Sequence, residues 1–406
     1  MHETIDSMKR HFVVIGFMVI MIIVVISCSK LEPALPADDQ VLDGPVDGLT
    51  NAQSLQHGLG DAAFTDQVFT RQTGLGSIFV ATSCGSCHAG EGKGHPFSTL
   101  TRFGQIDSTG NQFLNQGGPQ LQDRALPGFM PEQIPAGATF SKFLPPANTG
   151  LGFIELVSDA DIIAMSDPND INGDGIKGIP NWNNIPAFII PHPNAMVRNG
   201  KYICRFGKKG STYNLLHQTA NAYNQDIGIT SVFEPADVYS GLDIDPEIAT
   251  STINDVVFYL QTLRVPIQRN QFDVNVIAGK QLFININCSG CHKPTLKTGF
   301  SPIAALSNKV FSPYTDLLLH DMGPGLDDGY TEGTAKTGAW RTPPLWGLGL
   351  SPNSQGGEYF LMHDGRAKSI EEAIQMHGGE ASNAKNNFNA LNSTERQQII
   401  KFLESL

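Results

Sequence analysis

The chain has 406 residues, a formal net charge of −12 and 16% charged side chains. An acidic balance without a basic stripe argues against a nucleic-acid partner, and 40% hydrophobic content is enough to bury a sizeable core. Glycine (42) and proline (25) are abundant, so many turns and long ordered loops are expected between the regular elements.

The N-terminus sets the expected compartment. Lys9, Arg10 and His11 precede an apolar run from Phe12 to Ile26, followed by Ser27-Cys28. The run is shorter than the roughly 20 residues of a membrane-spanning helix and suits a signal-peptide core. A small residue before Cys28 resembles a lipobox, with Val25 where Leu is usual. Residues 1–28 therefore read as a lipoprotein signal peptide and Cys28 as the lipid anchor, with an uncleaved signal anchor as the alternative. The expected location is that of an exported bacterial lipoprotein on the periplasmic face of the inner or outer membrane. Residues 29–55, opening with Pro33, Pro36, Asp38 and Asp39, read as a flexible tether.

Next along the chain comes Cys84-Gly85-Ser86-Cys87-His88, and the pattern recurs as Cys288-Ser289-Gly290-Cys291-His292. C-x-x-C-H is the attachment signature of a c-type haem. Two thiols on one turn can reach the two vinyl groups on one porphyrin edge, and the next residue, His, can supply the proximal imidazole. A thioredoxin-like pair needs no such His. A zinc ribbon places its pairs about 15–20 residues apart, far closer than these. Two covalent haem c groups are expected, with Cys84, Cys87, Cys288 and Cys291 as attachment points and His88 and His292 on the irons. Of the six cysteines only Cys204 is then left, a small buried residue with no internal disulfide partner.

The two halves look duplicated. The stretch 68–81 carries Phe79 and Gly76 ahead of Cys84, and 277–286 carries Phe283 and Gly279 ahead of Cys288. Each half closes with helical spacing, Ile253, Val256, Val257, Leu260 and Leu263 in the first and Ile399, Ile400, Leu403 and Leu406 in the second. Ser393 stands near the start of the last helix without a clear capping box. A helix into the motif, loops around the haem and a closing helix is the plan of a cytochrome c domain. The expected fold is mainly α, with two cytochrome c-like haem domains, 56–266 and 267–406, and a large insertion at about 120–238 in the first. Within the insertion Asp170, Asn172 and Asp174, followed by Gly175, match the first half of a calcium loop. The twelfth position is Asn181 rather than Glu, so an Asx-rich turn is the competing reading.

The C-terminal half holds the densest recognisable chemistry: 317–326 with His320-Asp321-Met322-Gly323-Pro324-Gly325, then Trp340-Arg341-Thr342-Pro343-Pro344-Leu345-Trp346-Gly347, then His363-Asp364-Gly365-Arg366, a Glu371-Glu372-Ala373 helix and His377-Gly378-Gly379-Glu380. With Gly74-Leu75-Gly76, Leu151-Gly152-Phe153, Asp167-Pro168, Arg205-Phe206-Gly207 and Gly228-Ile229-Thr230, these runs resemble the di-haem oxidoreductase family, which is classed with the peroxidases. They are also similar to bacterial di-haem cytochrome c peroxidases and to the di-haem enzyme that matures a tryptophylquinone cofactor. The resemblance implies one haem with two protein ligands that transfers electrons and another whose sixth position is open to peroxide.

On that resemblance Met322 is the first choice for a sixth ligand and His320 the second, against a core methionine and a buried hydrogen-bonding histidine. His95 and His217 are the options at the first haem. Arg341 suits a haem propionate. Trp340 and Trp346 are candidates to lie between the haems, or to be packing. His363, Arg366 and His377 are propionate, loop-fixing or haem-edge candidates. The expected function is a periplasm-facing di-haem oxidoreductase, peroxidase-like, relaying electrons between its haems. It would act on peroxide or another small substrate, with a small redox protein or a quinol-linked system as electron donor. The alternative is a di-haem electron-transfer cytochrome with no substrate site.

Overall fold

The computed structural model describes residues 37–104 and 112–406; the expected signal peptide, Cys28 and the first part of the expected tether lie outside them. Residues 38–40 form a single 3-10 turn at the end of the unit Met1–Gln40. Val41–Leu406 packs as one compact unit, with no separate unit beginning at residue 267. Among the described residues no helix is long and apolar enough to cross a membrane.

Among the described residues five helices of eleven residues or more carry the architecture: α1 Asn51–Thr65, α2 Leu215–Gln225, α3 Thr250–Thr262, α4 Val274–Asn285 and α5 Ser393–Ser405. Their starts are chemically marked. Thr50 and Gln53 form a capping box on α1, Asn214 accepts the His217 amide on α2, and Asp273 accepts the amides of Asn275 and Val276 on α4. On α5 the cap is Asn392, reciprocally bonded to Glu395 at 3.0 Å in each direction. The capping box missing at Ser393 is present one residue earlier, with Asn in place of Ser or Thr. α1 starts at Asn51, inside the expected tether.

Two helix pairs share one kind of crossing, in a different register from the sequence reading. α1 crosses α3 and α4 crosses α5 at glycines. A Cβ on Gly60 would sit 2.0 Å from the Asp255 carbonyl oxygen, and one on Gly279 would sit 1.9 Å from that of Gln398. Four residues beyond each glycine a phenylalanine packs on the closing helix: Phe64 on Tyr259 (ring centroids 5.6 Å apart) and Phe283 on Phe402 (5.4 Å). The counterparts of Gly279 and Phe283 are thus Gly60 and Phe64, not Gly76 and Phe79. The segment before the first motif is no helix. It holds a 3-10 turn at Arg71–Thr73 and a strand Ile78–Phe79 paired with Arg124–Ala125. The reason is steric. Gly74 adopts a left-handed conformation, and a Cβ on Gly76 would lie 2.2 Å from the Gly228 carbonyl oxygen.

Between the helix pairs lie loops and small antiparallel sheets. Leu100–Gly104 pairs with Thr139–Phe143 (Leu100 opposite Phe143), Lys201–Cys204 runs between Asn181–Asn183 and Val197–Arg198, and Leu319–Asp321 pairs with Ala339–Arg341 (His320 opposite Trp340). The largest core cluster joins Phe64, Phe153 and Leu260 to Leu296, Phe311 and Trp346, residues from both sides of position 266. A second cluster fills the space around Phe283, Phe388 and Phe402. Cys204 is buried beside Ile189 and Tyr213, as expected of a packing residue.

Candidate active site: two haem-attachment motifs on one cavity

A single cavity of about 390 Å³, walled mainly by apolar side chains, is lined by Cys84, Cys87 and His88 and by Cys288, Cys291 and His292. Each motif coils into a tight turn. The Cys87 and His88 amides donate to the Cys84 carbonyl (3.1 and 3.0 Å), and the His292 amide donates to the Cys288 carbonyl (3.0 Å). Ser83 and Ser86 lock the first turn, and Asn287, left-handed at φ 68, turns the chain from α4 into the second.

The two histidines are held alike. His88 Nδ1 donates to the Pro146 carbonyl at 3.0 Å and His292 Nδ1 to the Tyr314 carbonyl at 2.9 Å. A carbonyl only accepts, so each Nδ1 carries the proton and each Nε2 keeps the lone pair that a metal needs. Burial pushes both imidazoles down to about 4, so they are neutral at pH 7. Phe64 packs on His88 and Phe283 on His292, at ring separations of 6.0 and 6.3 Å.

The thiols argue against a redox-active pair. Burial pushes Cys84 and Cys288 up to about 12 and Cys87 up to about 11, the reverse of a redox-active dithiol. Among the described residues the one group of three close enough to share an ion is Cys291, Asp316 and His320, so neither motif is itself a zinc set. An apolar cavity reached by two thiol pairs and two carbonyl-held imidazoles is the donor set that two haems require.

The other candidates fall into three groups. Met322, His320, Trp340, Trp346, Arg341, His363 and His377 line the cavity. Of these, His320 is spoken for: its Nδ1 bonds Glu380 (2.7 Å) and its Nε2 bonds Asp316 (2.9 Å). The carboxylates hold it protonated against the opposing effect of burial, which leaves no lone pair for iron. His377 resembles the proximal histidines, since its Nδ1 donates to the Ala373 carbonyl at 2.7 Å and leaves Nε2 as the acceptor. Trp340 is clamped: His363 stacks on it at 3.8 Å, Lys209 Nζ stands 3.7 Å over its ring, and its Nε1 donates to the Leu326 carbonyl. Trp346 packs on Phe311.

His95, His217 and Arg366 do not line the cavity. His95 caps a short 3-10 turn by accepting the Phe97 amide and stacks on that ring, while His217 accepts the Tyr213 amide. Arg366 pairs with Asp364 at 2.7 Å, which fixes its loop. In the candidate calcium loop Asp170 accepts the Gly175 amide, Asn172 that of Asp174, and Asp174 that of Ile176, the bonding pattern of an Asx turn.

Sequence reasoning missed one wall of the cavity, built by α2 and the residues after it. Thr219, Tyr223 and Asp226 lie on one face at helical spacing, all lining the cavity beside the first motif. The Thr219 and Tyr223 hydroxyls are buried with no hydrogen-bond partner. Asp226 accepts from Gln120 Nε2 at 3.0 Å, and burial pushes its carboxyl up to about 7, with Arg102 opposing. The polar residues at one-turn spacing were legible; nothing in the sequence showed that they face a haem motif.

Residues 145–406 match the sequence profile described as "Di-haem oxidoreductase, putative peroxidase". No curated protein matches. Among solved structures, hydrazine synthase of Kuenenia stuttgartiensis, pressurised with xenon, is 14% identical over 93% of this chain and 98% of that one, with a TM-score of 0.38. A MauG-like protein associated with microbial copper homeostasis is 14% identical over 92% of this chain and 95% of its own, at a TM-score of 0.40. The profile covers well over half of the chain, the second motif included, and the chain therefore belongs to the di-haem oxidoreductase family.

Proposed function

We propose that this protein is a peroxidase-like enzyme with two covalent haem c groups, in which the haem at Cys84–His88 meets the substrate and the haem at Cys288–His292 relays electrons. The observation that carries the reading is the α2 wall: two buried, unpartnered hydroxyls and a carboxyl of raised proton affinity in a cavity walled mainly by apolar side chains. Buried polar groups are normally satisfied, so such a wall calls for a hydrogen-bonding guest. A pure electron carrier has no use for it.

Bound haem would supply the redox iron that reacts with an oxygen-bearing substrate. The chain supplies the rest. Tyr223 and Thr219 orient a small oxygen-bearing substrate by hydrogen bonds. Asp226 keeps its proton near neutrality and stands ready to deliver it as an O–O bond separates. Gln120, itself joined to Arg102 at 3.3 Å, fixes the Asp226 carboxyl. At the second haem His377, with its carbonyl-held Nδ1, is the preferred sixth ligand; Met322 is the other residue placed for the role, and His320 is withdrawn.

Each motif with its helix pair is read as one cytochrome c-like half. The N-terminal signal and Cys28 anchor would hold the enzyme at the periplasmic face of a membrane, with electrons arriving from a small redox protein or a quinol-linked donor. The test is peroxide reduction by the haem-loaded protein with an artificial electron donor. Asp226→Asn is expected to lower turnover by about 10²–10⁴-fold, the range for loss of a positioned acid. Unchanged turnover in a haem-loaded Asp226→Asn protein would contradict the assignment.

A further inference from the structure

Three of the cations that line the cavity, Lys93, Lys208 and Arg341, form no ion pair among the described residues. Lys93 follows the first motif, in a loop pinned by the Gly94 amide to the Pro145 carbonyl (3.0 Å) and by Ser354 Oγ to the Lys93 carbonyl (2.8 Å). Lys208 and Arg341 adjoin each other: the Arg341 amide donates to the Lys208 carbonyl at 3.1 Å, and Arg341 Nε donates to the Gly207 carbonyl at 2.9 Å.

Their neighbours behave differently. Arg205 pairs with Asp159. Lys209 donates to the carbonyls of Lys336, Thr337 and Ala339 and stands 3.7 Å from Asp328. Among the described residues, the ion pairs leave Lys93, Lys208 and Arg341 out, while the nearby carboxylate Asp364 is taken by Arg366. Burial, then Lys93, then Arg341 push Lys208 down to about 7, and burial pushes Lys93 down to about 8. Gathered cations in a wall of low polarity are unfavourable alone and become favourable around an anion.

We propose that Lys93, Lys208 and Arg341 together form a seat for the propionate carboxylates of the haem attached at Cys84 and Cys87. The inference rests on the haem c reading above and adds how the chain holds the charged edge of that haem. Lys93 lies in the loop that leaves the first motif, and that loop is bonded through the Gly94 amide to Pro145, the neighbour of the Pro146 carbonyl that holds His88, which puts the seat beside this haem. Arg341 offers a planar fork and the lysines two mobile ammoniums, a set suited to two carboxylates.

The experiment is a spectroelectrochemical titration of haem-loaded wild type, Lys93→Met, Lys208→Met and Lys208→Arg across neutral pH, after the mass of each chain has shown two covalent haems. In each methionine variant one haem wave is expected to move to lower potential, because loss of a nearby positive charge favours the ferric iron. That wave should also fall further as pH rises, as the released propionate sheds its proton; the second wave should stay put and Lys208→Arg should restore the wild-type value. Unmoved waves in both methionine variants would overturn the seat, as would unmoved waves with weakened binding of added formate, which would assign the cations to a substrate. Should a methionine variant fail to load haem, Lys93→Gln and Lys208→Gln carry the same reading. A wild-type chain without covalent haem contradicts the functional reading itself, whereas haem-loaded variants with unmoved waves contradict only the seat.

Discussion

At the scale of single residues the chemistry depends on which nitrogen, hydroxyl or carboxyl is left unoccupied. Asp226 is the clearest case. With its carboxyl raised to about 7 by burial, the proton donor is present below that value and lost as pH rises through it. Peroxide turnover should therefore decline through about pH 7 on the alkaline side, and Asp226→Asn should flatten that limb of the profile. A wild-type profile with no alkaline limb near 7 would remove Asp226 from the role. His377 makes a second case. If its Nε2 closes the second iron, His377→Gly should turn one low-spin ferric signal high-spin, and added imidazole should restore it; the same low-spin signal in His377→Gly would return Met322 to first place. The candidate attachment cysteines and proximal histidines could be singled out in the sequence because C-x-x-C-H gathers a whole ligand set into five residues. The sixth ligands were not: His320 and Met322 stand two apart in sequence, and only the positions of Asp316 and Glu380 separate their fates.

At the scale of elements the two helix pairs are the scaffold, and their crossings hinge on glycine. Gly279→Ala would drive a Cβ to within 1.9 Å of the Gln398 carbonyl oxygen, so α4 and α5 must part. Overpacking of this kind costs about 1–3 kcal/mol, and the midpoint of denaturant unfolding should fall accordingly, with haem content unchanged. An unaltered midpoint would mean that the crossing is looser than described. The closing helices α3 and α5 were readable from their 3.6-residue apolar spacing. α1 was not, because its buried face is sparse: His57, Gly60 and Phe64 in a run of polar and small residues. Distance to the motif misled as well. In the second half α4 runs straight into Cys288, whereas in the first the chain detours from Thr65 to Ser83 before reaching Cys84. Proximity to the motif therefore pointed to Phe79, while packing on His88 falls to Phe64.

At the scale of the whole molecule, both motifs open on one cavity inside a single compact unit, Val41–Leu406, so folding and cofactor loading are one problem. A group that binds only the folded state stabilises it by mass action, and a covalent one does so permanently. Chain produced without haem attachment should accordingly lose the cooperative thermal transition of the loaded protein; an equally cooperative transition at the same temperature would show a core that closes without haem. The sequence disclosed two halves but not their fusion, since the core cluster shared by Phe64 and Trp346 depends on loops whose course no periodicity encodes. The central claim, one haem open to substrate and one closed, is tested most directly by electron paramagnetic resonance of the haem-loaded protein, oxidised and half-reduced, before and after peroxide. The account predicts a high-spin ferric signal that peroxide alters beside a low-spin signal; two low-spin signals indifferent to peroxide in both states would contradict it and leave an electron-transfer protein.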